Sequence, residues 1–134
     1  MNDGKKEKGK TRSLSEQKIE LIEDVSQEII EDIKKVPSKK AGLVVLKGPI
    51  TGEIFFIEEI ISIGRDYESN IFLDDITVSR NHASIEKIGS NYIFKDLGSL
   101  NGSYVNGTLS DNINLKSGDR IQIGKYIFLF FIQK

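Results

Sequence analysis

From Gly42 onward the chain is a succession of short β-branched and aromatic runs, each stopped by turn residues. The runs are 43–46, 53–57, 60–63, 83–88, 92–94, 120–123 and 126–132. Between them stand Gly48-Pro49, Thr51-Gly52, Gly89-Ser90-Asn91, Asn106-Gly107, Ser117-Gly118-Asp119 and Gly124-Lys125. Turn residues at this density punctuate strands, not helices. With no long helix to carry a crossover, the strands should pair antiparallel and stack as a twisted β-sandwich. An all-β domain over 42–134 is the expected fold class.

The first 41 residues follow a different pattern. Over 1–12, Lys5, Lys6, Lys8, Lys10 and Arg12 outnumber Asp3 and Glu7, and no aliphatic residue follows Met1. Such a segment buries too little apolar surface to offset the entropy of ordering it, so a disordered basic tail is expected. Ser13-Leu14-Ser15-Glu16 then has the form of a capping box. Ile22, Val25, Ile29, Ile33 and Val36 recur at the spacing of one helical stripe, and Pro37 closes the run. This predicts an amphipathic helix over about 14–36 within a segment, 13–41, that ends in a short charged linker. The stripe would pack either on the sandwich or on a partner or second copy; periodicity alone does not choose between these.

Composition narrows the function classes. The net charge of −1 over 134 residues argues against bulk attraction to nucleic acid or an anionic membrane. The chain has no cysteine, which removes disulfides, thiolate metal sites and cysteine nucleophiles. No run approaches the roughly 18 apolar residues of a membrane span, and the basic N-terminus lacks the apolar segment of a signal peptide. A cytoplasmic protein is expected.

Three segments carry the chemistry: Ile63-Gly64-Arg65, Val78-Ser79-Arg80-Asn81-His82-Ala83, and 98–107, which reads Gly98-Ser99-Leu100-Asn101-Gly102-Ser103-Tyr104-Val105-Asn106-Gly107. They supply a forked cation, a small hydroxyl, a loop amide and several glycines near strand ends. Arg gives bidentate, charge-assisted bonds to phosphate oxygens. An Asn side chain can both donate to and accept from a peptide backbone. The set suits a phosphate ester held on a loop surface. Asp74 and Asp75 sit oddly beside an anion site, and either point away from it or pair with Arg80.

In this order the residues resemble the forkhead-associated (FHA) domain, whose pattern Gly-Arg, Ser-x-x-His, Asn-Gly falls on Gly64-Arg65, Ser79-x-x-His82 and Asn101-Gly102. The resemblance covers 42–134. It implies an FHA/SMAD-like sandwich with binding loops at one end and a phosphothreonine-peptide binding function without catalysis, cofactor or metal. By resemblance, Arg65 contacts the phosphate, Ser79 donates to it and Arg80 adds a second positive group. Asn101 would bond the peptide backbone, Asn106 would assist in the groove, and Gly64, His82 and Gly102 would support the loops. Many members carry Thr or Ser before the Asn; here Leu100 stands there.

Two other classes compete. Ser79 and His82 could form the nucleophile and base of a phosphatase-like hydrolase, but no third group or oxyanion hole accompanies them. The basic tail could bind nucleic acid, but no aromatic residue interleaves its lysines. A tail followed by one FHA-like domain also resembles the small actinobacterial FHA regulators. That resemblance implies a Ser/Thr protein kinase as modifier, a phosphorylated N-terminal threonine that folds back on its own domain, and 2-oxoglutarate dehydrogenase-type enzymes as partners. Thr11 is the candidate threonine, in a basic setting where that group has an acidic one.

Overall fold

Two stacked β-sheets and one short helix make up the computed structural model, which describes residues 25–134. In chain order the elements are α1 (Gln27–Lys34), β1 (Ala41–Lys47), β2 (Ile54–Phe56), β3 (Ile60–Gly64), β4 (Ile71–Phe72), β5 (Ala83–Ile88), β6 (Asn91–Asp96), β7 (Tyr104–Val105), β8 (Thr108–Leu109), β9 (Asn112–Asn114), β10 (Arg120–Ile123) and β11 (Tyr126–Ile132). One sheet has the order β9-β6-β5-β3-β4 and the other β2-β1-β11-β10-β7-β8. The all-β sandwich expected from the short runs is present.

The expectation of purely antiparallel pairing needs correction. β3 and β4 run parallel, with Ile63 opposite Ile71 and Gly64 opposite Phe72. Parallel neighbours usually need a long crossover. Here a two-residue pair is reached by a tight return, because the turn at 66–69 closes on Asp66 and the Asn70 side chain accepts from the Ser62 amide at 2.8 Å. Four short strands, β4 and β7–β9, lie outside the predicted runs. At two or three residues they show no readable alternation.

Asn106-Gly107 does form the turn that its sequence suggests. Asn106 and Gly107 have φ of 52° and 83°, and the turn joins Val105 to its partner Thr108. Both central residues are left-handed, as a type I′ hairpin requires.

The helix predicted over about 14–36 is corrected only within 25–36, since 14–24 lie outside the described residues. Val25-Ser26 is not helical, and α1 starts at Gln27 with extended Ser26 as N-cap, its hydroxyl accepting from the Ile29 amide at 3.2 Å. The tail 1–12, Thr11 and the capping box at Ser13 lie outside the described residues. The alternatives left open for the stripe are resolved over 25–36. Val25, Ile29 and Val36 pack with Val44, Leu129 and Phe131 on the outer face of β1 and β11. The opposite face of the same strands, through Leu43, Val45, Phe128 and Phe130, enters the core between the sheets. Two buried faces explain why 126–132 is almost continuously apolar.

Candidate functional site

The segment 73–82 is pinned at both ends by buried side chains. Leu73 and Val78 are at most 1% exposed, whereas Ile76 between them is 90% exposed. Apolar anchors thus hold a polar loop over one end of the sandwich. Beside it, the end of β3 approaches so closely that a side chain at Gly64 has no room. A Cβ there would sit 1.9 Å from the Arg80 carbonyl oxygen, so only glycine fits. This contact sets Arg65 against the loop: its amide donates to the Ser79 carbonyl at 3.0 Å and its Nε to the Val78 carbonyl at 2.9 Å. The terminal guanidinium nitrogens make no hydrogen bond or ion pair among the described residues.

Ser79 is held at every polar atom. Its amide donates to His82 Nδ1 at 3.0 Å and its Oγ accepts from the Leu100 amide at 2.9 Å. Because that hydroxyl is already an acceptor, its own proton remains available to an incoming oxygen. His82 is fully buried. With Nδ1 accepting from Ser79, the ring proton lies on Nε2 and is donated to the Gly102 carbonyl at 3.0 Å. One side chain therefore ties the 79–82 loop to the 98–102 loop. Both ring nitrogens are taken by main-chain groups, and no Ser79 hydroxyl–imidazole bond of the kind a nucleophile–base pair needs is formed.

Asn101 completes the junction: its Nδ2 donates to the Thr77 carbonyl at 2.9 Å. Gly102, at φ 82°, lies under Leu109, whose Cδ1 would be 2.7 Å from a Cβ at that position. Arg80 is exposed and unpaired among the described residues. The structure thus brings Arg65, Ser79, Arg80 and Asn101 to one pair of loops, with Gly64, His82 and Gly102 beneath them. Asn106 is not tied into this group. Its amide donates to Asp119 Oδ1 and accepts from the Arg120 amide, both at 3.0 Å, which braces the β7–β8 hairpin against the start of β10.

The acidic pair is settled in the same way. Asp74 is exposed, and neither it nor Asp75 pairs with Arg80. Asp75 turns inward and caps its own loop, Oδ1 accepting from the Thr77 amide and hydroxyl at 2.9 Å each. The Thr77 amide chiefly holds its carboxyl below the ordinary value against the opposing effect of burial, with help from the Thr77 hydroxyl and Lys125. Its Oδ2 has no hydrogen bond among the described residues.

Sequence reading missed Asp96 and Ser103. Asp96 accepts from the Ser99 amide at 2.8 Å, and from the Ser99 and Ser103 hydroxyls at 2.6 Å each. Burial pushes its carboxyl up, but these donors and the neighbouring imidazole of His82 prevail and hold it below the ordinary range. Ser99 Oγ in turn accepts from the Gly102 amide at 2.9 Å. Ser99 is therefore committed inward and does not stand in for the hydroxyl missing at Leu100, which is 89% exposed. The one signal in the sequence was a carboxylate three residues before a serine in a glycine-containing turn.

Comparison with known proteins gives the same outline. The FHA domain family model matches residues 61–124, from β3 to the end of β10. An oxoglutarate dehydrogenase inhibitor of Corynebacterium jeikeium is 44% identical over 99 residues, covering 73% of this chain and 69% of that protein. The glycogen accumulation regulator GarA of Mycolicibacterium smegmatis is 43% identical over 102 residues, covering 75% of this chain and 65% of that one. A solved chain from a structural and functional study of phosphothreonine-dependent FHA domain interactions superposes with a TM-score of 0.66 at 28% identity, covering 71% of this chain and 98% of its own. An ordered motif set on the loops of a two-sheet sandwich, with more than two-fifths identity across most of a curated member, places this chain in the forkhead-associated domain family.

Proposed function

We propose that this chain is a non-catalytic phosphothreonine-peptide binding module that works as an adaptor or regulator downstream of a Ser/Thr protein kinase, in the cytoplasm. The observation that carries the reading is the convergence of Arg65, Ser79 and Asn101 on two loops that His82 locks together. In it, Arg65 and the Ser79 hydroxyl take the phosphate, Arg80 adds charge, and Asn101 exchanges its Thr77 contact for the peptide backbone. Asn106 supports the groove only through the hairpin it braces. The FHA domain spans 42–134, with 13–41 as its attached helical segment and linker.

Calorimetry with one peptide in threonine and phosphothreonine forms tests this. A charge-assisted bond to phosphate contributes roughly 1.5–3 kcal/mol, so Arg65→Ala should weaken phosphopeptide binding at least about tenfold. Equal binding of both peptide forms would remove the reading.

The enzyme named in the corynebacterial relative suggests 2-oxoglutarate dehydrogenase-type enzymes as partners. Phosphate on Thr11 would be a tethered ligand for the same loops, present at high effective concentration, and would place the protein in a self-inhibited state. Amide shifts at Arg65, Ser79 and Asn101 on phosphorylation of Thr11, absent in Arg65→Ala, are expected; no shift there leaves a constitutive binder.

A further inference from the structure

The peptide-facing atoms of this site sit on a closed circuit of hydrogen bonds, and one carboxylate is bonded to it from within the fold. The Ser79 amide bonds His82, whose Nε2 bonds the Gly102 carbonyl; the Gly102 amide bonds Ser99 Oγ, and the Leu100 amide returns to Ser79 Oγ. Inside this ring lies Asp96. Its side chain is 9% exposed, its Oδ2 is 3.8 Å from His82 Nε2, and it accepts three bonds from Ser99 and Ser103. Ser103 beside it is fully buried.

Asp96 lies at the end of β6 opposite Ala83, the residue after His82. The neighbouring Leu97 amide donates to the His82 carbonyl at 2.9 Å. The carboxylate is therefore mounted on a rigid strand, while everything it holds is loop. Groups set by a rigid element present a ligand surface already in its binding geometry.

We infer that Asp96 is a positioning residue for peptide binding, setting the 98–103 loop through Ser99 and Ser103 so that the Leu100 amide orients the Ser79 hydroxyl and Asn101 faces the peptide. The inference rests on the phosphothreonine-binding reading and adds to it a residue outside the Gly-Arg, Ser-x-x-His and Asn-Gly pattern. The requirement is for acceptors on both carboxyl oxygens, since Oδ1 receives an amide and Oδ2 receives two hydroxyls. An asparagine offers one acceptor and turns two donor hydrogens toward groups that already donate.

The experiment uses the full chain and a phosphothreonine peptide, with calorimetry and amide NMR on wild type, Asp96→Asn, Ser99→Ala and Arg65→Ala. Folded Asp96→Asn should bind at least about tenfold more weakly, with shift changes at Ser79, Leu100 and Gly102 before peptide is added. Ser99→Ala should lose roughly threefold or more, and answers the question if Asp96→Asn does not fold. A purely structural Asp96 would lower the melting temperature and leave the affinity of the folded protein unchanged. That outcome, or a folded Ser99→Ala at wild-type affinity, overturns the inference while Arg65→Ala still confirms the site. If wild type itself ignores the phosphate, the binding reading fails first and the inference with it.

Discussion

The loop end of the sandwich and the α1 face are held by opposite means. At the loop end, side chain–main chain bonds from Arg65, Ser79, His82, Asp96 and Asn101 fix the backbone, while Ile76 and Leu100 stay in water. On the α1 face, Val25, Ile29 and Val36 bury against Val44, Leu129 and Phe131, and a single side-chain bond, from Gln133 Nε2 to the Ile33 carbonyl, joins helix to sheet among the described residues. Apolar burial is non-directional and tolerates small shifts; hydrogen bonds are directional and do not. Attachment of a helix needs only the first. Presentation of the proposed phosphate-binding surface needs the second.

The comparison is broken most severely at Gly64. A methyl group there meets the Arg80 carbonyl, so Gly64→Ala should cost about 3 kcal/mol or more and abolish peptide binding together. Thermal melts and calorimetry on the same sample check both effects. His82→Ala comes next. It strands the half-buried Ser79 amide and Gly102 carbonyl, and should cost roughly 2 kcal/mol with a parallel loss of affinity. A stable His82→Ala that binds normally would show that the loops hold themselves.

Ile29→Ala sharpens the other side. It removes a side chain that is 6% exposed from the helix–sheet cluster and should cost about 2 kcal/mol, yet leave peptide affinity within error. A changed affinity would mean that the two regions are coupled.

Acid separates them further. The Asp96 carboxyl titrates below its unfolded value of about 3.9, so its stabilisation is complete above that pH and is lost as pH falls through the lower folded value. Melting temperatures from pH 6 down to 2 should therefore fall less steeply for Asp96→Asn than for wild type. The smallest effect belongs to the exposed Lys40–Glu58 pair at 2.6 Å. Glu58→Gln should leave both the melting temperature and the affinity unchanged.

The strand-rich half and the motif positions were readable because they depend on local rules. Alternation, turn residues and an Asn-Gly hairpin act over a few neighbours, and β5, β10 and β11 fall where the runs end. The helix was half readable over the described residues: its apolar stripe is real over 25–36, but periodicity does not register that Ser26 takes the extended N-cap position and starts the helix at Gln27. Nothing local marks the parallel β3–β4 pair, since a two-residue strand has no period and its return depends on Asn70 reaching Ser62. Nor does local turn chemistry separate Asn101, joined to Thr77, from Asn106, joined to Asp119, since each stands in an Asn-Gly pair; only the family pattern told them apart. Residue types and spacing determined that a phosphate-type site was available. Tertiary structure decided which of those groups share one pair of loops and that Asp96 lies beside them, because hydrogen-bond partners far apart in sequence are chosen by how the sheets stack.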